Sequence, residues 1–132
     1  MSGKVMYFAD FVPGAELGRA SEVVSTEQLA EWAELYPWDQ PEPGTVPTGL
    51  ATVLLMRGFH KAIPHRPPGN IHVRQEMQAH APILLGEAVS TAVSCRSTEQ
   101  KGERRKLELA VTGEGADGRL VFDGVVTLYW AA

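Results

Sequence analysis

The chain is poor in several things. It has one cysteine, Cys95, among 132 residues, which excludes an internal disulfide framework and any zinc site built on several cysteines. Lys and Arg number 12 against 16 Asp and Glu, a formal net charge of −4. No basic excess is present to neutralise a phosphate backbone, so no nucleic-acid partner is expected. No apolar run approaches the roughly 18 residues that span a bilayer. Met1-Ser2-Gly3-Lys4 opens no long apolar leader, so neither a membrane segment nor a secretory signal is expected, and the expected location is the cytoplasm. Internal repeats and low-complexity tracts are also absent.

What is present is a core. Hydrophobic residues make up 44% of the chain and charged residues 21%, a balance that suits one packed domain over residues 1–132. Two Pro/Gly clusters, 37–47 and 64–69, interrupt it and read as ordered loops, because proline lacks an N–H and restricts its predecessor. Before the first cluster, Ser25 and Gln28 have capping-box spacing. Leu29, Trp32, Ala33 and Tyr36 then recur at helical intervals on one apolar face. Between the clusters lies the most hydrophobic segment, 50–63, with Thr48 placed to cap it. Leu50, Ala51, Val53, Leu54, Leu55, Met56 and Phe59 leave it little polar face. A helix apolar nearly all round is buried on most sides.

After Gly69 the period changes to two. Alternation over 71–80, 89–96, 106–111 and 120–130, with a strong turn signal at Gly115-Ala116-Asp117-Gly118, predicts an antiparallel meander. A single apolar helix is most cheaply buried by wrapping such a sheet around it, which is the α+β class. The edge strands of that sheet need a partner, so edge pairing or sheet stacking in a dimer is expected.

Several segments, taken in order, resemble the MaoC-like hydratase/dehydratase group of hotdog-fold proteins. They are Phe11-Val12-Pro13-Gly14, Val23-Val24-Ser25 with the helix to Tyr36, Pro47-Thr48-Gly49-Leu50, Ala81-Pro82-Ile83-Leu84-Leu85-Gly86-Glu87, and Gly124-Val125-Val126. The resemblance implies a central helix wrapped by a curved antiparallel sheet. It implies hydration of 2-enoyl thioesters or dehydration of 3-hydroxyacyl thioesters, with an Asp and a His sharing one water. A backbone N–H at the start of the central helix would polarise the carbonyl. No separate cofactor is implied; coenzyme A or phosphopantetheine enters as part of the substrate, and the partners are an acyl-thioester molecule or an acyl carrier protein.

On this resemblance Asp39 matches the family aspartate and Gly49 the oxyanion position. The family histidine, five residues after the aspartate, falls on Gly44, and glycine cannot transfer a proton. Another histidine must enter the site, or the hydratase chemistry is lost. His72 is a candidate replacement, projecting toward a dimer-interface site. Trp38 and Thr48 are candidates for lining the acyl site, and Arg57 with His60 for a phosphate clamp on coenzyme A or pantetheine.

Each of these residues has a plainer reading. Asp39 suits a turn before a Pro-rich loop. Gly49 suits close helix packing, and His60 and His65 suit a helix C-terminus. His72 suits a half-exposed strand; His72 and His80, eight residues apart on one strand, are about 26 Å apart at roughly 3.3 Å per residue. Three functions follow: a hydratase/dehydratase acting as homodimer or heterodimer, a non-catalytic acyl-binding or structural subunit beside a catalytic hotdog partner, and a thioesterase.

Overall fold

A computed structural model describes residues 4–132. Five strands form one antiparallel sheet: β1 (Glu16–Val23), β2 (Ile71–Ala79), β3 (Ala88–Lys101), β4 (Arg104–Glu114) and β5 (Leu120–Trp130). Two helices complete it, α1 (Thr26–Leu35) and α2 (Gly49–Ala62). Among the described residues no helix is long and apolar enough to cross a membrane.

The first helix begins where its sequence says. Ser25 Oγ accepts from the Gln28 N–H at 3.1 Å, and Gln28 Oε1 accepts from the Ser25 N–H at 2.9 Å, so two orphan donors are satisfied reciprocally. The second helix is the buried rod. Leu54, Leu55 and Phe59 are 2%, 0% and 3% exposed, and the helix packs on β1, β3 and β4. Facing it, Leu107, Leu109 and Val111 of β4 alternate inward with Phe122, Val126, Leu128 and Trp130 of β5.

The meander is shorter than the periodicity suggests. Only β3, β4 and β5 follow one another; the strand order is β1-β3-β4-β5-β2. β2 pairs with β5 rather than β3, and β1 takes the place beside β3. Alternation marks which side chains face the core but carries no information about the neighbouring strand.

β2 also breaks its own alternation. Its register against β5 slips between His72 and Arg74, leaving Val73 as the extra residue of a bulge. His72 therefore shares the register of Leu128, while Ile71 stands opposite Tyr129. The bulge moves His72 to the face carrying Gln75 and Met77, away from that of Arg74 and Glu76. β2 is one of the two edges of the sheet, β1 being the other, and its Ile71 and Val73 are 58% and 46% accessible.

Candidate functional site

The start of α2 is held by a side chain from the loop before it. Thr48 does not cap it: its backbone is already helical (φ −58°, ψ −35°) and its hydroxyl makes no capping hydrogen bond. Asp39 does the capping from the preceding loop. Its Oδ2 accepts from the Gly49 N–H at 3.1 Å and from the Trp32 indole N–H at 2.8 Å. The carboxylate thus ties α1 to the N-terminus of α2, where the helix dipole favours a negative group. Gly49 is glycine because a Cβ there would run into Trp32 Cζ2 and come within 2.8 Å of Asp39 Oδ2.

The Gly49 N–H, expected as an oxyanion donor, is thus engaged by Asp39. The Leu50 and Ala51 N–H groups, next along the turn, donate to Pro47 O and Thr48 O, both at 3.0 Å. All three N–H groups that open α2 are engaged within the chain. Asp39→Ala should cost about 2 kcal/mol, by removing the cap and leaving two donors without an acceptor. Urea unfolding measures this; a variant within about 0.5 kcal/mol of wild type would show the clamp to be unimportant.

The loop from Asp39 to Thr48 separates two clefts. One, of about 390 Å³, is lined by Leu29, Tyr36, Asp39 and Leu85, among others. The other, of about 400 Å³, lies between the start of α2 and the chain just past β2. It is lined by Thr48 and Ala51 at the start of α2, by Ala79, His80, Pro82 and Ile83 at the end of β2 and beyond, and by Glu42 of the loop. The loop is pinned across this second cleft by Val46 N–H to Ile83 O at 2.8 Å and Leu85 N–H to Gly44 O at 3.0 Å.

The expected site residues are not all brought together. Asp39, Gly49 and Thr48 meet at the start of α2. His60 and His72 lie at its other end, where His60 is about 16 Å from Gly49 at roughly 1.5 Å per residue. The His60 imidazole is pushed below its ordinary range, first by burial and then by the charges of Arg66 and His72, so His72 is its neighbour and not that of Asp39. Arg57 is held by Glu22 of β1, Nε to Oε1 at 2.7 Å, and does not form a clamp with His60. Trp38 is 77% exposed, stacks edge-on against Tyr36 at 5.8 Å and lines neither cleft. Burial pushes the Cys95 thiol up, which suits a buried hydrophobe and not a nucleophile.

A fourth histidine, His80, follows directly on β2. Its Nε2 lies 3.1 Å from Asp123 Oδ1 of β5, and it lines the same cleft as Thr48. Sequence spacing gives no reason to single it out, because its partner lies 43 residues away on a strand not known to be adjacent.

No protein-family model and no curated protein match the sequence. Solved structures do resemble the fold. An R-hydratase, PhaJ1 from Pseudomonas aeruginosa, matches with a TM-score of 0.76 at 15% identity, over 94% of this chain and 84% of its own. A MaoC-like dehydratase from Rhodospirillum rubrum matches with a TM-score of 0.77 at 12% identity, over 95% of this chain and 97% of its own. The HadBC 3R-hydroxyacyl-ACP dehydratase complex from Mycobacterium tuberculosis matches with a TM-score of 0.64 at 19% identity, over 83% and 89%. The chain has a hotdog fold.

Proposed function

We propose that this hotdog chain binds an acyl thioester in the cleft between the start of α2 and residues 79–83, and acts there as a hydratase or dehydratase. The observation that carries the reading is the make-up of that cleft. Ala51, Ile83 and Val121 supply apolar surface for an acyl chain, while Thr48 and His80 are among its polar lining residues. The fold shared with R-hydratases and a hydroxyacyl dehydratase supports the substrate class. The coenzyme A or pantetheine arm enters as part of the substrate. The exposed edge of β2 supports pairing with a second hotdog chain, identical or different, as in the HadBC complex.

Isothermal titration with butyryl-CoA tests the reading. Butyryl-CoA is expected to bind at least about tenfold tighter than coenzyme A alone, since burying three further carbons is worth roughly 0.8 kcal/mol each. Ala79→Trp, at an exposed position on the rim, should weaken binding by a similar factor without altering the circular dichroism. Equal affinity for both ligands, or unaltered binding by Ala79→Trp, would overturn it.

A non-catalytic subunit is the second reading, and the Asp39 clamp favours it. Asp39 Oδ2 is occupied as a helix cap on the Gly49 N–H and the Trp32 indole, a structural role that supports this reading. A chain that binds butyryl-CoA yet leaves crotonyl-CoA intact would decide for this reading.

A further inference from the structure

We propose that the cleft between α1 and the 39–48 loop is a docking site for another protein, engaged through a segment that carries large apolar side chains flanked by Lys or Arg. The inference is independent of the acyl-thioester reading and concerns the other side of that loop.

Apolar exposure marks the surface. The spacing of Leu29, Trp32, Ala33 and Tyr36 predicts a buried face, yet no residue of α1 is buried. Tyr36 and Leu85, 39% and 52% exposed, line the cleft of about 390 Å³ together with Leu29 and Ala33. Trp38 stands beside it, its ring edge-on to that of Tyr36, and Leu84, next to Leu85, is exposed as well. One exposed leucine needs no explanation, but aromatic and aliphatic side chains gathered around a cleft mark an interaction site. The walls are already formed. Pro37, Pro41 and Pro47 restrict their own backbone, and Asp39 ties the loop to both helices through the Trp32 indole and the Gly49 N–H. Little freedom is therefore left to lose on binding.

Charge selects the occupant. The cleft is built from the stretches 20–56 and 81–95, and neither contains a Lys, Arg or His. Two of their acidic residues are paired: Glu22 with Arg57 and Lys61, and Glu87 with Arg119. The others, Glu27, Glu31, Glu34, Asp39 and Glu42, have no cationic partner among the described residues. A field of this one sign repels nucleic acid and anionic lipid. A second copy docked face to face would set the same carboxylates against these, which like-charge repulsion disfavours. A protein segment of positive charge fits. Lys and Arg suit both parts of the surface, because their aliphatic stems cover apolar side chains while their charged ends stay in water beside the carboxylates. Tyr and Trp, the aromatic types exposed here, dominate the energetics of such contacts.

NMR titration of the isotope-labelled full chain with a short synthetic peptide of Leu and Lys tests this. Amide shifts are expected to cluster around Leu29, Ala33, Tyr36, Thr45 and Leu85. The same peptide with Glu in place of Lys should bind at least about tenfold more weakly, and so should one with Ser in place of Leu. Trp38→Ala, with its side chain in solvent, should keep the fold and lose about tenfold in affinity. Val73→Ser, exposed on β2 and remote from the cleft lining, should lose none. No binding of the Lys peptide, equal affinity for the Lys and Glu peptides, shifts centred on another surface, or unaltered binding by Trp38→Ala would each overturn the proposal. Self-association of the chain that Trp38→Ala abolishes would also overturn it, by giving the face to a second copy. None of these results bears on butyryl-CoA binding, so the two readings fail separately.

Discussion

Glu87→Gln should cost about 2 kcal/mol of stability, as expected when hydrogen bonds to a charged group are lost from a partly buried ion pair. The Glu87 side chain is 5% exposed, and four donors converge on it. Oε1 accepts from the Leu84 N–H at 2.9 Å and from Arg119 Nη2 at 2.8 Å. Oε2 accepts from the Ala116 N–H at 2.7 Å and from Arg119 Nη1 at 2.9 Å. The bidentate fork is the stronger, charge-assisted form of the interaction. Arg119 also donates to Pro82 O at 2.9 Å, so a single carboxylate locks the 82–87 turn onto the β4–β5 hairpin. The glutamine variant keeps one acceptor oxygen but presents an NH₂ to a guanidinium, and at least two of the four bonds are lost.

The same contacts set an acid dependence. Hydrogen bonds from Arg119, opposed by burial and reinforced by the Leu84 and Ala116 N–H groups, pull the Glu87 carboxyl from an ordinary 4.5 down to about 2. As pH falls from about 4.5 toward 2, the unfolded chain takes up a proton that the folded chain does not. Acid therefore favours unfolding in that window, and the stabilisation is fully present only above it. Urea midpoints from pH 6 to pH 2.5 should fall more steeply for wild type than for Glu87→Gln. Parallel curves, or a variant within about 1 kcal/mol of wild type at pH 7, would remove Glu87 from this role. Because residues 82 and 83 wall the His80 cleft, the variant is also expected to weaken butyryl-CoA binding.

How much of this was legible before the structure depends on the range of the interaction. The Ser25–Gln28 cap and the buried 50–63 helix rest on residues within one or two turns, and local pattern reports them well. The Gly115–Gly118 turn was equally visible: Asp117 and Gly118 both take positive φ there, at 58° and 69°. The placement of β2 was not visible, because strand order is decided by which edges meet across dozens of residues. The bulge at Val73 was hidden for the same reason, since a register slip exists only relative to β5. At the site, Asp39 and Gly49 were singled out by resemblance, but Asp39 acts as a cap because Trp32, seven residues earlier, turns its indole N–H onto the same oxygen. The contact of His80 with Asp123 is hidden in the same way, because it depends on β2 pairing with β5.

Gly58→Val should be the most damaging single substitution on α2, costing about 3 kcal/mol or more through overpacking. Gly58 is buried in the middle of the helix, where glycine is about 1 kcal/mol worse than alanine, so its presence needs a reason in packing. The reason is Thr91 of β3, itself only 4% exposed. A Cβ on Gly58 would overlap Thr91 Cγ2 and stand 2.9 Å from Thr91 Cβ. A second close approach lies one turn on, where a Cβ at Gly18 of β1 would stand 2.9 Å from Ala62 Cα. The helix therefore rides on the sheet at two small-residue contacts, and neither neighbour is free to withdraw. Gly58→Ala separates packing from propensity: it should destabilise despite alanine's better helix propensity. Combining it with Thr91→Ala, which removes Cγ2, should cost at least about 1 kcal/mol less than the sum of the two single variants. Strict additivity would mean that α2 is not seated on β3 at this point. The same rod carries Ala51 into the lining of the cleft, so a shift of α2 on β3 moves part of that lining. Gly58→Ala should therefore lose butyryl-CoA affinity under conditions where it is still folded, coupling the packing of the rod to the geometry of the site.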